Sequence, residues 1–288
     1  IMRGKHRSTP IEDLVKNAEK LVEKGVKELL LIAQDLTYYG IDVYGERKLA
    51  ELLRKLSDVK GVEWIRLHYA YPSKFPLEIF DAMARQPKIC NYLDIPLQHA
   101  DDTMLARMRR QITQAEQREL IRIAKEKVPG INIRTTFLVG HPGETEEDFQ
   151  TLKQWVEEMR FERLGCFTYS HEENTHAYNL VDDVPEEVKQ ERVARFMEKQ
   201  AAISEEKLKQ NIGKTRDVII DEVIDNEEEK IFIGRTSSDA PDIDGLVYVD
   251  NEKGASHQVG DIIPVTITDT DEYDMWARQL DEPQDSNM

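Results

Sequence analysis

The sequence predicts an α/β chain: a partial (β/α) barrel over residues 1–212, then a small all-β barrel over 213–280 and a disordered tail at 281–288. Three observations predict it. Apolar segments of strand length alternate with amphipathic segments of helical period from Pro10 to Tyr169, as a parallel sheet with crossover helices requires. Polar residues crowd just past every strand rather than in one crevice, which favours a barrel over an open doubly wound sheet. After Gly213 the period shortens to alternating strands separated by Asp, Asn and Gly turns.

The first helix is expected over Pro10 to Gly25, with Ile11, Leu14, Val15, Ala18, Leu21 and Val22 on one face and Gly25 as its stop. The next segment, VKELLLIAQD, reads as a strand whose run from Leu29 to Ala33 lacks alternation, as strands covered on both faces do. The unit then repeats: helix 48–56, strand 62–69, helix 77–85, strand 92–95, helices 102–108 and 115–127, strand 132–139, helix 146–159 and strand 164–169. A long charged amphipathic helix over 185–210 packs across the barrel and leads out of it. Beyond Gly213 the runs RDVIIDEVI, KIFIGRT, GLVYVD and DIIPVTITDTDEYDMWARQL make a five-stranded barrel of OB-like size.

Charge is spread unevenly. The formal net charge is −17, and residues 213–288 hold 20 Asp and Glu against 6 Lys and Arg, so this short module alone carries −14. Such a surface repels phosphate backbones and attracts basic partners. A merely solvated face is the bland account of the same charge. No run of about 18 apolar residues is present to span a bilayer. Together with two cysteines, Cys90 and Cys166, too few for a disulfide scaffold, this sets a cytoplasmic expectation. The chain opens on a basic loop, RGKHRSTP, and is expected to be an excised piece of a longer protein.

The residues at the strand ends are Gln34-Asp35, then His68 to Pro72, then Asp94 with Gln98-His99, then Arg134 with Gly140 to Glu144, then Thr168 to His171. In a parallel barrel they converge on one mouth. Any one of them could be structural, but amide, imidazole, carboxylate and hydroxyl groups at five strand ends cost a few kcal/mol each if buried unpaired, so packing alone is a poor explanation. In TFLVGHPGETEEDF, Gly140 and Gly143 let the backbone turn tightly and let a ligand approach it. Thr145 is a helix N-cap with Asp148 in the capping-box place. Glu146, Glu147 and Asp148 fill the first turn, so a phosphate arriving there would meet three carboxylates and the loop is no P-loop. A neutral ring or a cation suits it better.

The stretches RGKHRS, LLLIAQDLTYYG, DIPLQHADDTMLARMRR, RTTFLVGHPGETEEDF, FTYSHEENTHAY and DTDEYDMWARQL resemble the radical S-adenosylmethionine (SAM) methylthiotransferases. QHADD, YSHEENT and DEYDMWA resemble the RimO-type branch, which modifies an aspartate of ribosomal protein S-twelve, more than the branch acting on tRNA. The resemblance covers nearly the whole chain. It implies a partial radical-SAM-type barrel followed by a TRAM module, the addition of a methylthio group to the aspartate β-carbon, and SAM and 4Fe–4S clusters as cofactors. It places Gln34 and Asp35 at the amino acid end of SAM. Gln98, Arg134 and the Val139–Gly140 backbone would hold its methionyl, ribose and adenine groups, with Tyr169 at the next strand end. The acidic TRAM module would then meet the basic ribosomal protein of the small subunit and is not expected to bind RNA directly.

One departure stands out. The family holds its cluster on a CxxxCxxC loop, because soft thiolates suit iron–sulfur centres, and no such loop is present here. Cys90 and Cys166 fall outside that spacing and are expected in the barrel wall, so this chain by itself is expected to bind no cluster and perform no radical chemistry. Arg3, Lys5, His6 and Arg7 form a small basic group that could border the cluster and the SAM carboxylate, or simply line a solvated loop. Three other readings stay open: a tRNA adenosine methylthiotransferase, a non-catalytic ribosome-associated binding module, and a metal-dependent hydrolase using His68, His99, His141 and His171. The last has no H-x-H or HExxH spacing to support it.

Overall fold

The computed structural model describes residues 4, 6–225, 230–251 and 255–280. Arg3, Lys5 and the 281–288 tail lie outside the described residues. The chain forms two units, residues 1–203 and 204–288.

In the first unit, five apolar segments become parallel strands: β1 (Glu28–Ile32), β2 (Trp64–His68), β3 (Ile89–Asp94), β4 (Asn132–Val139) and β5 (Arg163–Thr168). Between and around them run α1 (Ile11–Val22), α2 (Ile41–Tyr44), α3 (Leu49–Ser57), α4 (Glu78–Arg85), α5 (Asp102–Arg107), α6 (Gln114–Lys127), α7 (Glu146–Met159) and α8 (Glu186–Lys209). The strand order is β1-β2-β3-β4-β5, with no reversal. Every crossover therefore advances the same way, and α1 packs beside α3, α3 beside α4 and α4 beside α6 along one face. A doubly wound sheet would reverse its order at a switch point. The partial barrel expected from the sequence is the one that forms.

Strand alternation separates two faces. Leu29, Ile65, Leu67, Leu93, Ile133, Phe137 and Val139 turn toward the helices and form the core. Phe137 is its centre, ringed by Phe196 of α8 at 5.6 Å, Trp155 of α7 at 5.9 Å and Phe161 at 6.0 Å. The opposite, inner face carries Leu30 beside Arg66, Ile32 beside His68, Asp94 beside Arg134, Thr136 beside Gly165 and Leu138 beside Phe167. This face is open. Ile32 is 63% exposed and Phe167 60%, so β1 is not covered on both faces as its unbroken apolar run predicts. An incomplete barrel leaves the inner wall of its outermost strands without neighbours. The short α2 and a 3-10 turn over Leu36–Tyr38 were not legible from periodicity, being shorter than one repeat of the helical pattern.

Cys90 lies in β3 and Cys166 in β5, in the barrel wall as expected. The capping box expected of Thr145 with Asp148 forms and opens α7, and a second, Thr113 with Glu116, opens α6.

In the second unit, β6 (Thr215–Asp225), β7 (Lys230–Thr236), β8 (Val247–Asp250), β9 (Ile262–Thr270) and β10 (Met275–Gln279) close into a barrel in the order β10-β8-β7-β6-β9. Its neighbours are antiparallel except β8 and β10. Val218, Ile220, Phe232, Val247, Val249, Val265 and Ile267 fill it, joined by Leu208 from the last turn of α8. No helix among the described residues is long and apolar enough to cross a membrane.

Candidate functional site

Sequential parallel strands put their carboxyl ends side by side along one edge, and the polar residues foreseen there occupy it. After β1, Gln34 is exposed. Asp35 accepts from the Thr37 amide at 2.8 Å, the Thr37 hydroxyl at 2.7 Å and the Tyr71 amide at 3.3 Å. Its carboxylate thus caps the following turn and ties the end of β1 to that of β2. After β2, Tyr69 donates its amide to Asp94 Oδ2 at 3.3 Å, linking the end of β2 to that of β3. After β3, Gln98 extends the sheet: its amide donates to the Thr136 carbonyl and its carbonyl accepts from the Leu138 amide, both at 2.9 Å. After β5, the Tyr169 amide donates to the Val139 carbonyl at 2.8 Å.

Three consecutive strand ends leave the sheet through a left-handed residue: Tyr69 (φ 61°), Gln98 (φ 73°) and Gly140 (φ 75°). Two of these are not glycine, and each costs about 1–2 kcal/mol that the surrounding structure must offset. Such strain gathers where a scaffold aims groups at a ligand.

Below the rim, the inner face is polar and ordered. Arg66 donates from Nε to Glu28 Oε1 at 2.8 Å and lies over the Tyr92 ring, 4.9 Å from its centroid. The His68 ring sits 5.8 Å from the same tyrosine. Arg134 is part of this wall: it is the third residue of β4, level with Asp94 and not past a strand end, because β4 starts beyond β3 in the stagger of the sheet. A side chain at Gly165 would reach within 3.9 Å of Arg134 Nη2, so the glycine leaves the guanidinium room on the inner face. Val139 is fully buried on the helix side and offers the rim only its backbone.

The loop after β4 is held by a buried carboxylate. Glu144 Oε1 accepts from the Gly140 amide at 3.0 Å and from Arg192 Nη1 at 2.5 Å. Its Oε2 lies 3.4 Å from His99 Nε2. His99 Nδ1 accepts the Asp101 amide at 2.9 Å, which turns Nε2 toward Glu144. One side chain therefore binds the rim of β4 to α8 and lies against the segment after β3. Both glycines are closely packed on the side where a Cβ would stand. A Cβ at Gly140 would lie 2.3 Å from Lys189 Cγ, and one at Gly143 would lie 1.6 Å from Arg107 Nη1, so protein side chains already fill both spaces.

Tyr169 closes the arc. Its hydroxyl lies 3.0 Å from His171 Nδ1, its ring 5.3 Å from that of His141, and Lys189 Nζ 5.3 Å over its face. Lys189 in turn pairs with Asp182 at 2.9 Å. Burial first, then Asp182 and Glu172, holds the Tyr169 phenol above its ordinary range. Burial keeps His141 more easily deprotonated than a free imidazole. Lys189 and Arg192 were missed in the sequence because a charged residue on a long surface helix reads as solvated; only burial reveals them.

Thus Gln34, Asp35, Gln98, Gly140 and Tyr169 share one edge, and Arg134 lies on the inner wall beneath it. The four histidines go separate ways: His68 to Tyr92, His99 to Glu144, His141 and His171 to Tyr169. Among the described residues no three His, Cys, Asp or Glu gather in a way that could hold a metal ion.

A family model described as the radical SAM superfamily matches residues 1–156, and one described as the TRAM domain matches 212–280. The chain belongs to the radical SAM superfamily and carries a TRAM domain. It is similar to the ribosomal protein uS12 methylthiotransferases RimO: 56% identical to that of Christiangramia forsetii over 97% of this chain and 61% of that protein. It is 52% identical to that of Flavobacterium johnsoniae over 96% of this chain and 62% of that protein. The chain thus spans about three-fifths of the length of these relatives. A solved structure of the radical SAM enzyme HemN of Escherichia coli overlays 67% of this chain and 45% of that one, with a TM-score of 0.47 and 18% identity.

The superfamily works with SAM and 4Fe–4S clusters. The donor set here fits the first: a guanidinium for a carboxylate, amides and hydroxyls for an amino acid and a ribose, and exposed Ile32, Tyr69 and Phe167 for an apolar ring. It does not fit the second. Cys90 and Cys166 are the chain's two cysteines, on strands with β4 between them, and burial foremost pushes the Cys166 thiol up to about 12, where it stays protonated rather than acting as a thiolate ligand.

Proposed function

We propose that this chain is the nucleotide-binding barrel and the substrate-docking module of a methylthiotransferase that modifies an aspartate β-carbon of ribosomal protein uS12. What carries the reading is identity of 56% to such an enzyme over 97% of the chain, barrel and TRAM module alike. The reductive chemistry belongs to the iron–sulfur cluster when one is bound. This chain's own residues bind and orient. Gln34 and Asp35 face the amino acid end of SAM; the three bonds of Asp35 all fall on Oδ1, which leaves Oδ2 as the acceptor for a ligand. Arg134 and Gln98 take its carboxylate and ribose, the Val139–Gly140 backbone edge takes the adenine, and Tyr169 closes the far side. Glu144 holds Gly140 in place for that contact without touching the nucleotide.

The barrel occupies 1–212 and the docking module 213–280 in this reading. The module's charge of −14 over 213–288 favours a lysine- and arginine-rich protein over RNA. The chain taken alone, with no third cysteine, is inactive. The full-length protein that contains it, given SAM, sulfide, a reductant and purified uS12, should add one methylthio group to a single aspartate, read by peptide mass spectrometry. Modification of a tRNA adenosine in its place would overturn the reading.

A further inference from the structure

The outer face of the closed barrel carries a groove of about 360 Å3 lined by Ile231, Tyr248, Asp250, Thr268, Trp276 and Arg278. Alternation explains its origin. Val247, Val249, Met275 and Ala277 turn inward to fill the barrel, so Tyr248 and Trp276 must turn outward. The two are register partners on β8 and β10, and their rings stack with centroids 5.7 Å apart and planes 21° from parallel. Trp276 remains 40% exposed. The barrel's core does not need this pair, which leaves an aromatic platform facing solvent.

Its surroundings are negative. Asp269 is the register partner of Trp276, and the carboxylates of Asp274 and Asp271 add to burial in raising the Tyr248 phenol above its ordinary range. The groove's own cation, Arg278, has Asp250 as its register partner. A nucleic-acid base could also stack here, but its phosphates would meet a module of charge −14. A planar guanidinium gains from both the ring faces and the field.

We propose that the Tyr248–Trp276 groove seats an arginine side chain of a basic protein partner. This deepens the reading that the acidic module docks a basic protein and rests on it.

The test uses the 288-residue chain and two synthetic peptides of equal charge, one of arginine and glycine and one of lysine and glycine, titrated by calorimetry at two salt concentrations. The arginine peptide should bind about two- to five-fold tighter, the range expected for stacking at an exposed ring. Trp276→Leu should erase that preference while leaving lysine-peptide binding in place, and Trp276→Phe should restore part of it. Trp276 faces outward, so neither variant disturbs the core; unchanged circular dichroism checks this. An arginine preference that survives Trp276→Leu, or none in the unaltered chain, overturns the groove while leaving the acidic docking surface standing. Failure of both peptides to bind, or tighter binding of a single-stranded RNA oligonucleotide than of either, overturns the docking reading and the groove with it.

Discussion

Arg192 of α8 places its guanidinium 2.5 Å from Oε1 of Glu144, and both side chains are withdrawn from solvent. The pair joins a helix far along the chain to the turn that leaves β4, and through Glu144 to the Gly140 amide and the His99 ring. The long helix is therefore part of what shapes the rim.

Removing one member of a buried pair strands the other. Arg192→Met should cost about 3–5 kcal/mol of stability, because the Glu144 carboxylate would stay buried without its cation. Glu144→Gln keeps shape and two hydrogen-bond acceptor sites and should cost less. Urea unfolding followed by tryptophan emission measures both, and a loss below about 1 kcal/mol for Arg192→Met would show that the pair does not hold the loop.

The glycines of the β4 loop make a sharper comparison. Gly140→Ala faces both a left-handed backbone (φ 75°) and the Lys189 side chain 2.3 Å from its new Cβ, whereas Gly130→Ala has φ 77° and nothing within 4 Å. The second variant should lose about 1–2 kcal/mol from strain alone, and the first clearly more unless Lys189 swings away. Thermal melts of the two variants side by side read the difference. Equal losses would mean that Lys189 does not fill the space.

Cys166 makes a prediction in alkali. Its ordinary value of 9.0 rises to about 12 in the fold, so above pH 9 the unfolded chain releases a proton that the folded chain retains. Stability is fully present below pH 9 and falls as pH rises toward 12. Cys166→Ala should flatten part of this decline, read from urea midpoints at pH 8, 9.5 and 10.5, values that bracket the start of the window. An unchanged slope would contradict the upward shift of this half-buried thiol.

Anaerobic treatment of the chain with ferrous iron and sulfide should produce no visible charge-transfer absorption and no bound iron after desalting. Two separated wall cysteines cannot replace three convergent thiolates. Stoichiometric iron that survives desalting would contradict this.

Much of the molecule was legible in the sequence, for physical reasons. The boundaries of β4 and α7 come out at 132–139 and 146–159, as read, because an apolar run, two glycines and a capping box mark them in succession. The parallel sheet and the five-stranded barrel follow from the change of period at Gly213. Features that depend on distant partners were not legible. Tyr69 and Gln98 give no composition signal for a left-handed backbone, and Arg134 reads as a strand-end residue until the stagger against β3 is known. That Lys189 and Arg107 fill the space beside Gly140 and Gly143 was not legible, because both stand far from them in sequence.

The central claim is that the carboxyl edge and inner wall of the five-stranded sheet bind SAM. Calorimetric titration of SAM into the full-length, cluster-loaded protein tests it most directly. Arg134→Ala and Gln98→Ala should each weaken binding about ten-fold or more with the fold intact, as loss of hydrogen bonds to charged groups does. Affinity unchanged in both variants would contradict it.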